Sequence, residues 1–174
     1  MKKFILLSML TLLASLFLSS CTEDSDEPYT KFKDYSTFTA NREAWTELDD
    51  YSFTYNFRLG STYMQSPVSV SVKNGKGTCS PEVEAAPVPE YLFESISEVY
   101  EYFENRWQKV KSEKNTNLRI LFSVEYSKHG ERVYPSTLKE HIEWCGSGDA
   151  PVGTGTGGVE IGITNFVVTA GDLF

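Results

Sequence analysis

From Tyr51 to Arg58 the chain alternates without a break: Tyr51, Phe53, Tyr55 and Phe57 against Ser52, Thr54, Asn56 and Arg58. Successive side chains of a β-strand point to opposite faces, so this two-residue repeat buries all four rings together only as a strand with one wet side. A helix would scatter the same rings around its axis. The chain is therefore expected to build a sheet with one packed face.

Three further stretches repeat the pattern. Val68, Val70 and Val72 alternate with Ser69, Ser71 and Lys73 and end in Asn74 and Gly75, two residues that tolerate the positive φ of a tight hairpin turn. A short return strand through Thr78 and Cys79 follows, and residues 80–91, with Pro81, Pro87 and Pro89, read as a surface connection. Leu118, Ile120, Phe122, Val124 and Tyr126 form a long strand. It turns around Gly130 and returns through Leu138, Ile142 and Trp144. Past a glycine-rich stretch between Gly146 and Gly158, Val159, Ile161, Ile163 and Val167 make the last strand. Two helices accompany these strands. Thr39 caps a short one carrying Asn41, Ala44, Trp45 and Leu48, while Ser95 and Glu98 form a capping box for a longer one whose stripe is Ile96, Val99, Phe103, Trp107 and Val110. The expected fold is α+β: a single antiparallel sheet of about five to six strands packed on one long and one short helix.

Lys2 and Lys3 open the chain, and Phe4 to Leu18 is apolar except for Ser8, Thr11 and Ser15, the layout of a signal peptide. Leu18, Ser19, Ser20 and Cys21 resemble the lipobox of bacterial lipoproteins. That resemblance implies cleavage before Cys21, diacylglycerol on its sulfur and acylation of the new amino terminus, an anchor that two or more lipid signals make stable. The alternative is an ordinary signal peptide cut ahead of a cysteine. The expected organisation is a signal over residues 1–20, a lipidated Cys21 with an acidic tether over 21–38, and one globular domain over 39–174. Glu23, Asp24, Asp26 and Glu27, closed by Pro28, resemble the surface-export signal of lipoproteins of the Bacteroidota. A plain solvated spacer is the other reading. Thr22 gives no inner-membrane retention signal of the enteric type. The expected address is the outer membrane, with its periplasmic and outer faces both open.

Loss of Lys2 and Lys3 with the signal leaves 14 basic residues against 24 acidic ones, a balance that repels phosphate backbones and excludes nucleic acid as a partner. Trp45 before Tyr51, Phe53 and Tyr55, the valine strand ending at Asn74 and Gly75, Ser95 to Phe103, and Val124 and Tyr126 leading to Tyr134 and Pro135 form an arrangement similar to an uncharacterised family of small bacterial envelope proteins, many of them lipoproteins. The resemblance spans most of residues 40–168. It implies the fold and the location, and it assigns no catalytic residue.

Residues that could carry chemistry are few. Cys79 and Cys145 form either a structural disulfide or two unpaired thiols in an oxidising envelope. His141, Glu143 and Cys145 have the look of a metal or Cys–His set, but along one strand His141 and Cys145 stand about 13 Å apart, too far for shared coordination. No metal and no cofactor is expected. Gly153 to Gly158 lacks the Lys and Ser/Thr of a phosphate loop, and Ser147 lacks the glycine spacing of a nucleophile elbow. Tyr63, Met64, Tyr100, Tyr102 and Tyr134 have no evident core role and are the candidate binding surface, since tyrosine suits sites that are apolar at one end and wet at the other. The expected function is a lipid-anchored, non-enzymatic module that binds a protein or envelope component. The alternatives are an envelope hydrolase using His129 or His141, and an inhibitor-like protein with a rigid loop among residues 58–66 or 127–134.

Overall fold

The four aromatics of the alternating run do lie together on one side: Tyr51, Phe53, Tyr55 and Phe57 are each at most 1% exposed. A computed structural model describes residues 29–60, 63–64, 67–81, 91–113, 117–146 and 157–169. Its elements in chain order are β1 (Tyr29–Phe32), α1 (Tyr35–Ala44), β2 (Tyr51–Leu59), β3 (Tyr63–Met64), β4 (Val68–Lys73), β5 (Lys76–Pro81), α2 (Ile96–Glu113), β6 (Leu118–His129), β7 (Arg132–Trp144) and β8 (Val159–Val168). Seven strands lie side by side in the order β1-β6-β7-β8-β2-β4-β5, and the two-residue β3 pairs with β2. The fold is α+β.

The sheet is wider than expected and is mixed, not purely antiparallel. The addition is β1, which runs parallel to β6 from Tyr29 opposite Arg119 to Phe32 opposite Phe122. Residues 29–32, inside the stretch assigned to the tether, thus belong to the sheet. Phe32 explains why: its ring contacts those of Tyr35, Phe38, Phe103, Trp107 and Phe122 at centroid distances of 4.9 to 5.8 Å. Such burial holds even a four-residue strand to the sheet.

The first helix also starts earlier than Thr39. Asp34 precedes it with φ 57° and makes no capping hydrogen bond through its side chain, and the Thr39 hydroxyl sits inside the helix, donating to the Tyr35 carbonyl. Phe38, 1% exposed and packed on Phe32, Tyr100 and Phe103, fixes the helix register instead. Trp45 is at its C-cap, edge-on to Tyr51 and Phe166. In α2 the predicted stripe is buried throughout, with Tyr100 added to it. The Ser95 hydroxyl accepts from the Glu98 N–H as a capping box requires, but the Glu98 carboxylate accepts from Glu94 N–H, one residue before the reciprocal position. Both helices lie on the face that carries Tyr51, Phe53 and Phe57. Among the described residues no helix covers the other face, and none is long and apolar enough to cross a membrane.

Asn74 and Gly75 take φ of 51° and 70° and join β4 to β5, with Lys73 opposite Lys76. Gly75→Ala meets nothing closer than Asp49 Oδ1 at 3.9 Å, so its cost is conformational alone. We expect a loss of about 1–2 kcal/mol, read as a lower urea midpoint, the magnitude for an L-residue held in the left-handed region.

β8 departs from the expected pattern at one point. Ser52 pairs with Val167 and Thr54 with Thr164, so one extra residue is inserted, and Asn165 carries φ 52°. This bulge reverses the phase of the strand. Phe166 and Val168 turn inward, and Val167, assigned to the buried series, is 52% exposed.

Candidate functional site

Of the nominated tyrosines, Tyr100, Tyr102 and Tyr134 do not form a patch. Tyr100 is 1% exposed and faces Phe38 in the core. Tyr102 packs on Phe57 and Phe93 under the sheet. Tyr134 stacks on Phe166 at 4.3 Å, which ties it to the bulged end of β8. Each is accounted for by core packing that periodicity along a single element does not reveal. Tyr63 and Met64 form β3, and their side chains lie outside the described part, as do Cys21, Ser147 and Gly153 to Thr156.

Cys79 and Cys145 are free thiols. They belong to opposite parts of the sheet: β8, β2 and β4 separate β7 from β5, a displacement of roughly 19 Å at about 4.8 Å per strand. A disulfide needs Cα atoms within about 7 Å, so of the two readings the disulfide is ruled out and the cysteines are two separate thiols. Cys79 sits half-buried with its Sγ 3.4 Å from the Phe93 carbonyl, and burial, then the carboxylates of Glu94 and Glu98, push its pKa up to about 11.

Burial likewise raises the pKa values of Tyr35, Tyr51, Tyr100 and Tyr126 above the ordinary 10.0. For these acids the folded pKa exceeds the unfolded one. Their contribution to stability is therefore complete below the unfolded value and is lost as pH rises through the folded one. The window opens near 9.0 for Cys79 and 10.0 for the tyrosines. We expect the urea midpoint to fall between pH 8 and pH 11; a midpoint that rises over that range would contradict these assignments.

Two polar clusters are structural. The Glu47 carboxylate accepts from the Tyr51 hydroxyl, from Trp45 Nε1 at 3.1 Å, and from the backbone N–H and hydroxyl of Ser97, while Tyr51 Oη accepts from Ile96 N–H at 3.0 Å. These contacts satisfy donors at the start of α2 that the helix itself leaves open. On β7, Glu140 faces the helices with its side chain fully buried, and Arg106 Nε of α2 lies 2.7 Å from Oε2. Gly158 passes so close to β7 that a Cβ there would stand 1.8 Å from the Glu140 carbonyl oxygen.

The histidines are apart. His129 is edge-on to Phe166, and His141 is opposite Leu121 on the far side of the sheet from the helices. His141 borders a gap of about 60 Å³ together with Arg58, Lys139 and Glu160. Here Arg58 and Lys139 share the Glu160 carboxylate at 2.5 and 3.9 Å. Glu143, opposite Arg119, pairs with it at 3.4 Å. Among the described residues no three of His, Cys, Asp and Glu gather closely enough for a metal ion. Residues 127–134, considered as a protruding loop, are the paired ends of β6 and β7 joined through Gly130 and Glu131.

What does come together is the polar half of the alternating strands. The register aligns Val167, Ser52, Ser71 and Thr78 in one row across β8, β2, β4 and β5, and Thr164, Thr54, Ser69 and Ser80 in the next. None of these eight positions is charged. Seven of them, all but Thr164, line an open trough of about 390 Å³ that is floored by the backbone of Phe53 and Val70, whose side chains are buried on the helix face, and flanked by Asn165. Lys73 and Lys76 lie beyond one end, and the Arg58–Glu160–Lys139 cluster lies beyond the other. The sequence shows that Ser52, Thr54, Ser69 and Ser71 point outward, but the rows exist only through pairings such as Ser52 with Val167, which no local pattern encodes.

Compared with protein-family models, with curated proteins and with solved structures, the chain matches none of them.

Proposed function

We propose that the chain is a lipid-anchored protein of the bacterial outer membrane whose folded domain binds an envelope component through the open face of its sheet, without catalysing a reaction. The proposal includes the lipobox reading of Cys21 and the resemblance to the uncharacterised envelope family. The observation that carries it is the pair of uncharged hydroxyl rows on a face that no described helix covers.

The position of the rows supports this reading. The chain enters the sheet at Tyr29, opposite Arg119 on the edge pair β1–β6, whereas the rows occupy the far strands and the opposite end of the register. Only seven residues stand between Cys21 and Tyr29, eight Cα steps that span at most roughly 28 Å. A domain held that close to a bilayer by one corner keeps the diagonal corner the most accessible.

Cell fractionation tests the anchor: Cys21→Ser should move the protein from the membrane pellet to the soluble fraction. Pull-down from envelope extract with the immobilised chain tests the face. Ser71→Glu and Ser69→Glu, each placing a charge in a row, should lose the captured component, while Lys109→Glu on the exposed side of α2 should keep it. Capture that is indifferent to both serine variants removes the open face from the account.

A further inference from the structure

Resting on the binding-face reading above, we infer that the ligand of this face is a neutral glycan, laid across the strands β8, β2, β4 and β5.

The composition of the two rows separates ligand classes. Protein interfaces concentrate Tyr, Trp, Met and Arg at their centres and are depleted in Ser. These rows hold serine and threonine with a single valine and none of the anchoring types. A charged ligand would need opposite charge in the trough, and the charged groups lie outside it, Lys73 and Lys76 beyond one end and Arg58 and Lys139, which share Glu160, beyond the other. A hydroxyl both donates and accepts, so rows of hydroxyls suit a partner that is itself a polyol, whichever way each group turns. No charge has to be stripped of water when such a ligand binds, which removes the largest desolvation cost.

The geometry agrees with the chemistry. Side chains repeat across a sheet at about 4.8 Å and along a strand at about 6.8 Å for every second residue. A β-linked hexose chain in its extended form repeats at close to the cross-strand distance, so one sugar can sit over each strand. Small side chains leave the floor low enough for rings to approach. Val167, 52% exposed at the end of one row, offers the apolar contact that the C–H face of a sugar ring takes. With no aromatic ring in the rows for stacking, binding is expected to be weak for each sugar and to depend on chain length.

Affinity electrophoresis of the purified chain tests this with hydroxyethyl cellulose and galactomannan as neutral probes and polygalacturonate as the acidic one. The expected result is retardation by at least one neutral polysaccharide and not by polygalacturonate, lost in both Ser69→Glu and Ser71→Glu and kept in Lys109→Glu, all variants melting as the parent does. Equal retardation by the acidic polymer, retention unchanged in the two serine variants, or no retardation by either neutral probe overturns the assignment. After such a failure the binding face still stands in two cases: envelope capture still lost in Ser71→Glu means a different ligand, and a concentration-dependent dimer abolished by Ser71→Glu means a second copy of the chain. If neither glycan retention nor envelope capture responds to the serine variants, the binding-face reading fails as well.

Discussion

Arg106→Met should lower the unfolding free energy by about 3 kcal/mol, the low end of the range for breaking a buried ion pair because Arg106 keeps 28% of its side chain exposed. The loss comes from what remains. Glu140 is wholly buried on the helix side of β7, its Oε1 has no hydrogen-bond partner among the described residues, and Arg106 Nε is the donor to Oε2 at 2.7 Å. Removing the guanidinium leaves a carboxylate in an apolar layer beside Leu138 and Phe122. The double variant Arg106→Met with Glu140→Leu removes the stranded charge and should recover most of the loss, since replacing both members of a buried pair by apolar residues is close to neutral. Urea unfolding of the two variants measures the difference. Equal destabilisation of the single and double variants would show that packing, and not the charge, is what the pair supplies.

Phe32→Ala should cost about 3–4 kcal/mol, the range for truncating a buried aromatic side chain. Phe32 is the one buried residue of β1, and five rings from α1, α2 and β6 meet it. Its loss leaves a cavity where both helices meet the sheet and removes the contact that holds β1 to β6. A change of less than about 1 kcal/mol, as for a surface substitution, would contradict the packing of β1 and the start of α1 into the core.

The two effects also mark where local sequence patterns stop. β2, β4 and α2 were legible because their periods are long and unbroken: four alternating aromatics, three alternating valines, and a helical stripe from Ile96 to Val110. β1 was not, because four residues beside an acidic run carry too little periodicity to outweigh composition. The Asn165 bulge inverted Val167 and Phe166, since one inserted residue turns every later side chain of a strand to the other face. Glu140 did leave a signal. It falls on the inward series with Leu138 and Ile142, and a carboxylate there requires a buried cation, which Arg106 provides from a helix 34 residues earlier. Of the candidate site, the outward direction of the serines and threonines was readable. Their alignment into rows, and the dispersal of Tyr100, Tyr102 and Tyr134 into the core, depend on register between strands far apart in the chain.

Photo-crosslinking in living cells tests the central claim most directly, with a photoreactive residue at position 71 on the open face or at position 105 on the exposed side of α2. The account predicts adducts to an envelope component from position 71 and none from position 105. Adducts from 105 with none from 71 would contradict it.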